Sequence, residues 1–255
     1  MRMWGRGRAL SSKAPPERPL EAANTMTHLE PEEIVIPISE ARPVSGLLQV
    51  PARATACFVL AHGAGAGMRH PFMAAVAAGL AARGIATLRY QFPYMEAGSR
   101  RPDSLRLATS TVRAAVAKAN ELVPELPLIA GGKSFGGRMT SQAQAGMPLP
   151  GVRGLAFLGF PLHPARKRSA ARAEHLAGIT VPMLFLQGER DQLAGRHLME
   201  QLVQDLGHRA TLHLFSEADH SFHGSVHSGR TDDQVMGAVL DILATWIAEV
   251  GLRSA

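Results

Sequence analysis

The sequence predicts an α/β fold in which a mostly parallel, eight-stranded sheet carries helices on both faces. From residue 33 onward, short β-rich runs alternate with longer helical runs, and glycine and proline separate them. This alternation is typical of parallel strands joined by right-handed helical crossovers. The chain has 255 residues, of which 46% are hydrophobic, enough to bury a sizeable core. We therefore expect one α/β domain over residues 29–255.

Eight strands and five helices are predicted in this domain. Only a short connection separates the first two strands, so we expect them to form an antiparallel entry to the sheet. The predicted strands are Ile34–Ile38, Gly46–Val50, Cys57–Ala61, Ala86–Tyr90, Leu128–Ala130, Gly154–Leu158, Met183–Leu186 and Thr211–Phe215. The predicted helices are Pro71–Ala82, Asp103–Leu122, Phe135–Ala145, Arg196–Leu206 and Asp232–Val250.

Residues 1–28 are predicted to be a disordered basic tail. The segment holds five basic residues, two acidic residues and three prolines, and it shows no hydrophobic periodicity. Half of the net charge of +6 lies in this tail, so the basic balance does not indicate nucleic-acid binding by the domain. The tail lacks the apolar core of a secretory signal, and Met26 is an alternative start of the chain.

Cysteine usage and hydropathy both favour a cytoplasmic protein. The single cysteine, Cys57, lies in an apolar run, so an internal disulfide is impossible and a reducing compartment is the natural one. The longest uninterrupted apolar stretch, Phe72–Ala82, has 11 residues and is too short to cross a bilayer. We therefore expect neither a membrane nor a nucleic acid as a partner.

Residues 128–139 read LIAGGKSFGGRM, and two motifs compete for them. A phosphate-binding loop, GxxxxGK[ST], needs its first glycine at position 127, where Pro127 stands and offers no amide hydrogen. The other frame is the GxSxG motif from Gly132 to Gly136, which follows an apolar run and precedes a helical one. This context predicts that Ser134 lies on the tight strand-to-helix turn called a nucleophile elbow.

A nucleophilic serine needs a base within hydrogen-bond reach and a carboxylate that orients the base. Asp191 and His220 each follow a predicted strand, and the order serine, acid, histidine is a known order of catalytic triads. Taken singly, Asp191 could cap the next helix and His220 could be an ordinary loop histidine. Asp219 is adjacent to His220, but neighbouring side chains point in different directions, so we expect Asp191 to be the acid.

The glycine-rich run HGAGAG, residues 62–67, follows the third predicted strand. Glycine and alanine let backbone amides approach an oxyanion, so we expect the amides of Ala64 and Phe135 to form an oxyanion hole. A dinucleotide-binding loop is disfavoured, because a GxGxxG frame that starts at Gly65 meets His70 in place of its last glycine.

Neither a metal nor another cofactor is expected. His220, His223 and His227 have the spacing HxxHxxxH, which could gather ligands if the segment were helical. The glycines and serines between and after them predict a loop instead, and the chain contains no HExxH motif.

The chain from about Glu33 to Val250 resembles the α/β-hydrolase superfamily, and its dienelactone-hydrolase-like branch in particular. The strings AHGAGAGMRHPFM, LRYQFPYMEAGSRRPD, GGKSFGGRM, LQGERDQL and EADHSF are similar to a small bacterial family. That family is related to a regulatory subunit of a nuclear histone acetyltransferase complex. The resemblance implies Ser134 as nucleophile, Asp191 as acid, His220 as base, and the amides of Ala64 and Phe135 as oxyanion hole.

The chain departs from this pattern in two ways. Dienelactone hydrolases proper carry cysteine at the elbow, where this chain has Ser134, so lactone specificity is not implied. Many relatives also carry a large lid, whereas the segment between Phe160 and Val181 leaves room for only a minimal one. A basic cluster, Arg166, Lys167 and Arg168, lies in that segment, and we expect it either to bind substrate or to be a solvated surface.

The residues together predict a serine hydrolase that cleaves a small ester or related acyl compound through an acyl-enzyme on Ser134. The alternative is a non-catalytic protein that keeps the α/β-hydrolase fold and uses its surface as a binding module or scaffold. The presence of Ser134, Asp191 and His220 favours the enzyme.

Overall fold

A computed structural model describes residues 1, 30–39, 41–164, 169–225 and 229–252, and a single sheet is its framework. Except for Met1, the predicted disordered tail, residues 1–28, lies outside these described residues, so its disorder stays a prediction. The strands are β1 (Glu32–Ile36), β2 (Val44–Gln49), β3 (Ala56–Ala61), β4 (Ile85–Tyr90), β5 (Leu128–Lys133), β6 (Val152–Leu158), β7 (Met183–Gly188) and β8 (Ala210–Phe215).

The sheet has the strand order β1-β2-β4-β3-β5-β6-β7-β8 and is mostly parallel, as predicted. The pairs β1–β2 and β2–β4 are antiparallel, and the five remaining pairs are parallel. The first two strands therefore form the predicted antiparallel entry, and β3 lies in the interior of the sheet between β4 and β5.

In the described part of the chain, six α-helices connect or flank the strands. They are α1 (Pro71–Ala81), α2 (Pro93–Glu96), α3 (Leu105–Leu122), α4 (Phe135–Gly146), α5 (Arg196–Leu206) and α6 (Asp232–Leu252). The sequence predicts five of them to within two residues at each end. It misses α2 and two 3-10 helices, Ala171–Gly178 and Gly207–Arg209, because such short segments show no apolar period.

Helices cover both faces of the sheet, and the interior strands are buried on both sides. Along β3, Cys57 and Val59 belong to one hydrophobic core, whereas Phe58 and Leu60 belong to the other. This alternation is the two-residue period of a strand. The first core includes buried side chains of α3 and α4, and the second includes those of α1 and α6.

Among the described helices, α6 is the one long and apolar enough to cross a membrane by length and composition. In the structure its apolar side chains pack against the sheet: Val239, Leu243 and Ile247 are fully buried in the second core. The helix therefore has the position of a core helix of a folded domain.

The register brings the carboxyl ends of the parallel strands to one edge of the sheet. Ala61 at the end of β3 pairs with Tyr90 on β4 and with Gly132 on β5. On the other side of β5, Lys133 pairs with Leu158 at the end of β6. The segments that follow β3, β5, β7 and β8 consequently meet at this edge, where open α/β sheets place their functional groups.

Candidate active site

Ser134 lies on the predicted tight turn, between the end of β5 and the start of α4. Its backbone has φ 48° and ψ −112°, an uncommon conformation for a residue with a side chain. Two backbone hydrogen bonds hold it there: the Ser134 amide donates to Leu158 O over 3.1 Å, and its carbonyl accepts from Arg138 N over 3.1 Å. The turn is therefore fixed by the neighbouring strand and by the helix that it begins.

The glycines of the GxSxG motif give the turn room to approach β3. A Cβ atom at Gly132 would lie 2.2 Å from the carbonyl oxygen of Ala61. A Cβ atom at Gly136 would lie 2.6 Å from the carbonyl oxygens of both Ala61 and His62. Because these neighbours are backbone atoms, they cannot move aside as a side chain would. The motif is thus a requirement of close backbone packing.

The structure brings Ser134, His220 and Asp191 together in a continuous line of hydrogen bonds. His220 Nε2 lies 2.9 Å from Ser134 Oγ, and His220 Nδ1 lies 2.6 Å from Asp191 Oδ2. The Asp191 side chain is fully buried, whereas 25% of the His220 side chain is exposed. Two further donors satisfy the carboxylate: Leu193 N lies 2.8 Å from Oδ1, and Gln187 Nε2 donates to Oδ2.

Asp219, the neighbour of His220, is engaged elsewhere. Its Oδ1 accepts hydrogen bonds from Ser221 N over 2.7 Å and from His223 N over 3.0 Å. A carboxylate that accepts from amides further along the chain stabilises a turn. Asp219 therefore shapes the loop that carries His220, and Asp191 contacts the ring, as the sequence predicted.

His62 is a fully buried residue beside the site, and the sequence alone assigned it no separate role. Its Nδ1 donates to Gly63 O over 2.8 Å, and its Nε2 accepts from Phe92 N over 3.1 Å, which fixes the tautomer. Burial lowers the pKa of His62 to about 4, so the ring is neutral at pH 7. The ring joins the start of the HGAGAG segment to the segment after β4. The sequence feature that could have indicated this role is a histidine directly before a glycine-rich turn.

The predicted oxyanion-hole residues lie on either side of Ser134. Phe135 is the first residue of α4, where amides have no acceptor within the helix. Ala64 follows Gly63, at which an added Cβ would lie 3.9 Å from Ser134 Cβ. Neither amide donates a hydrogen bond to another described residue. Both are therefore available to a bound group, and their role in stabilising an oxyanion stays a prediction.

A cleft of about 740 Å³ opens over Ser134 and His220. Its walls are largely apolar, and they include Phe72, Met73, Leu193, Phe222 and Met236. Ionisable groups that line it are Lys133, His70, His223, Asp232 and Asp233. A volume of this size suits a small organic molecule. A second cavity, of about 540 Å³, lies near Pro127 and Pro182, before the starts of β5 and β7, and contains no residue of the triad.

Four residues for which the sequence suggested a function lie in parts of the chain that the structure does not describe. They are Arg166, Lys167 and Arg168, proposed from the sequence to contact substrate, and His227, weighed as a metal ligand. The other two histidines of the HxxHxxxH spacing have carboxylate partners: His220 contacts Asp191, and His223 Nδ1 lies 2.7 Å from Asp232 Oδ2.

Residues 54–248 match the family model of the alpha/beta hydrolase domain, which covers most of the chain. The chain therefore belongs to the α/β-hydrolase family, as its motifs predicted. The family assignment supports a hydrolase.

Solved structures with the same fold include a dienelactone hydrolase from Anabaena variabilis. That protein has 21% identity and a TM-score of 0.67, over 86% of this chain and 98% of the other. A lidless α/β serine hydrolase from Xanthomonas campestris has 16% sequence identity to this chain and a TM-score of 0.67, and the match covers 89% of this chain and 97% of the other. An esterase domain from Rhodothermus marinus has 18% identity and a TM-score of 0.66, over 87% and 100%. Similarity at these identities establishes the fold alone. The resemblance to the dienelactone-hydrolase-like branch is therefore confirmed as a resemblance of fold.

The contact between Gly136 and β3 predicts a large difference between two glycines of the same helix. Gly136→Ala should lower the free energy of unfolding by about 1–3 kcal/mol, because the methyl group meets backbone oxygens. Gly146→Ala is the matched control, since no atom lies within 4 Å of its added Cβ, and it should change stability by under about 1 kcal/mol. Urea unfolding of both variants measures this, and equal stabilities would show that the turn has room for a side chain.

Proposed function

We propose that this protein is a serine hydrolase that cleaves a small ester through an acyl-enzyme on Ser134. One observation carries the proposal: the unbroken line of hydrogen bonds from Asp191 through His220 to Ser134 Oγ. Ser134 and His220 line a cleft that can admit a small molecule. The line of hydrogen bonds therefore combines a nucleophile, a base and an orienting carboxylate at one accessible point.

The histidine tautomer follows from its partners. The Asp191 carboxylate accepts a hydrogen bond, so the proton of the neutral His220 ring lies on Nδ1. The lone pair of Nε2 then faces Ser134 Oγ and can accept its proton. When the ring becomes an imidazolium, the buried carboxylate of Asp191 stabilises the new charge.

The reaction then needs only groups of the chain and a water molecule. Ser134 Oγ attacks the ester carbonyl carbon while its proton moves to His220 Nε2, and the amides of Ala64 and Phe135 stabilise the oxyanion. The C–O bond breaks, and the alcohol leaves with the proton from His220. Water next attacks the acyl-enzyme with His220 as base, which releases the acid and restores Ser134. No step requires a cofactor.

The walls of the cleft favour a substrate with an apolar group. Phe72 and Met236, which are partly exposed, present aromatic and thioether surface in the same cleft as Ser134. Apolar surface removed from water on binding contributes about 25 cal/mol per Å² before the costs of association. We therefore propose a small, largely apolar ester or related acyl compound as substrate.

A fluorophosphonate probe tests whether Ser134 is an activated nucleophile. We expect labelling of the wild-type protein at Ser134 and none of Ser134→Ala, because phosphonylation requires a serine paired with a base. A non-catalytic binding protein with this fold would not be labelled at Ser134. Labelling that persists in Ser134→Ala would contradict the assignment of the nucleophile.

The chain offers a matched control in a second serine–histidine pair. Ser141 Oγ lies 2.7 Å from His175 Nε2. Gln142 donates to the other ring nitrogen, so Nε2 carries the proton and cannot act as a base. Burial and the nearby Arg138 guanidinium also lower the pKa of His175 to about 4. Ser141→Ala should therefore leave labelling unchanged, and peptide mapping should find no probe on Ser141.

Asp191 and Asp219 are the two candidate acids, and replacing each with asparagine should affect turnover very differently. Asp191→Asn keeps the shape of the side chain but favours the wrong tautomer of His220, which lowers turnover about 10⁴-fold in serine proteases. We expect a fall in kcat of roughly 10²–10⁴ here. Asp219→Asn should cost less than about tenfold, because Asp219 accepts hydrogen bonds from loop amides and has no hydrogen bond to the His220 ring. Circular dichroism checks that both variants fold, and turnover of one activated ester measures their activity. A large loss of kcat in Asp219→Asn together with wild-type kcat in Asp191→Asn would reverse the assignment of the acid.

Among such largely apolar esters, the basic cluster Arg166, Lys167 and Arg168 is proposed to favour those whose acyl group also carries one negative charge. Replacing all three with glutamine should raise KM for anionic esters and leave KM for neutral esters unchanged, and the difference should shrink at high salt. Arg53→Gln is the control, since Arg53 is exposed in the turn before β3, at the opposite edge of the sheet. Equal effects on both ester classes would identify the cluster as a solvated surface.

A further inference from the structure

Lys133 is a buried charged residue that the mechanism above does not use. It is the last residue of β5 and directly precedes Ser134, and only 9% of it is exposed. Its Nζ donates a hydrogen bond to the backbone carbonyl oxygen of His220, 87 residues further along the chain. A lysine is rarely buried unless its charge has a partner, so this contact requires an explanation.

Two aromatic rings lie near the Lys133 ammonium. Nζ lies 5.7 Å from the centroid of Phe72 and 5.6 Å from that of Phe222. The two rings are stacked, with centroids 6.2 Å apart and an interplanar angle of 13°. The faces of aromatic rings attract a cation at such distances. Phe72 on α1 and Phe222 on the His220 loop therefore both attract the ammonium.

Gly159, which follows β6, leaves room for this contact. A Cβ atom there would lie 2.8 Å from Lys133 Nζ and 3.2 Å from the His220 carbonyl oxygen. The same Cβ would lie 3.3 Å from Cε1 of the His220 ring. Gly159 therefore packs against the Lys133 ammonium and against the carbonyl oxygen and ring of His220. Because these groups are in contact, a movement of the ammonium would be transmitted to His220.

The charge of Lys133 depends on pH within the working range of an enzyme. Burial lowers the pKa of the ammonium to about 8, against the opposing attraction of the Asp191 and Asp219 carboxylates. His220, in the loop after β8, is a further titratable group that packs against it. Phe72 and Phe222 contribute no titratable group. Lys133 is therefore charged at pH 7 and becomes neutral as the pH rises through about 8.

We propose that Lys133 is a positioning residue whose ammonium holds the His220 backbone, so that the imidazole stays between Asp191 and Ser134. The inference rests on the proposed serine-hydrolase function. His220 lies in a loop whose neighbours Glu217 and Phe222 have positive φ values of 56° and 66°. Such a loop needs tertiary contacts to keep its conformation.

Other contacts hold the loop on either side of His220: before it, Arg190 N donates to Ala218 O and Ser225 N donates to Glu217 O. Asp219 bonds the amides of Ser221 and His223, and the His223 ring bonds Asp232 at the start of α6. Among the described residues, Lys133 alone provides a side-chain hydrogen bond to the backbone of His220 itself. A hydrogen bond from a charged donor is about twice as strong as one between neutral groups. Loss of the charge should therefore loosen His220 and slow the reaction.

Lys133→Met tests this by keeping the length and apolar stem of the side chain and removing the amine. With one activated neutral ester, kcat should fall about ten- to a hundredfold, since a misplacement near 1 Å costs about that much, and KM should change little. Lys118→Met is the matched control, because Lys118 pairs with Glu121 on α3 and does not line the cleft. It should retain wild-type kcat.

The pH profile separates positioning from a general structural role. Wild-type kcat/KM, corrected for spontaneous hydrolysis, should decline as the pH rises above about 8, where the Lys133 ammonium loses its proton. Lys133→Met should lose this alkaline decline, and Lys118→Met should keep it. Wild-type kcat in Lys133→Met, or an unchanged alkaline decline in that variant, would overturn the proposal. So would wild-type activity that rises above pH 8.

Proton NMR tests the positioning role of Lys133 even if the protein hydrolyses none of the esters assayed. The Nδ1 proton of His220 in its 2.6 Å contact with Asp191 should give a proton resonance far downfield of the amides, assigned by its loss in Asp191→Asn. It should broaden or vanish in Lys133→Met and persist in Lys118→Met. Persistence in Lys133→Met would overturn the positioning role. A wild-type protein with this resonance but without fluorophosphonate labelling would overturn the hydrolase proposal separately.

Discussion

The close approach of the turn at Ser134 to the end of β3 is the constraint on which the rest of the site depends. The backbone oxygens of Ala61 and His62 lie where side chains at positions 132 and 136 would stand. This contact places the start of α4 beside the glycine-rich segment after β3, so that Ala64 and Phe135 lie on either side of Ser134. The turn that carries Ser134 is therefore fixed by backbone packing in the interior of the sheet, whereas Asp191 and His220 lie in the segments after β7 and β8.

The environment of each histidine determines what its serine can do. His220 and His175 each lie within hydrogen-bond distance of a serine, but their second ring nitrogens have opposite partners. A buried carboxylate accepts from His220, which leaves a lone pair facing Ser134, whereas an amide donates to His175, which leaves a proton facing Ser141. Residue identity and distance alone would not separate the two pairs.

Much of the fold could be predicted because its strands and longer helices have clear periods, and the end of β5 shows where this fails. The predicted strand stops at Ala130, because glycines are unfavourable in strands. In the structure it continues through Gly131 and Gly132 to Lys133, since β3 and β6 pair with it on both sides. Tertiary pairing overrides local propensity there, and the same glycines permit the close approach that builds the elbow.

The sequence by itself determined the order of the strands along the chain, the GxSxG turn, and the serine, acid and histidine that follow three different strands. These features are local, because a motif or a period lies within a few residues. Only the tertiary structure decided that His62 is neutral and joined to Phe92, and that Lys133 is buried against His220. Those properties depend on desolvation and on contacts between residues 30 and 87 positions apart, which no local pattern encodes.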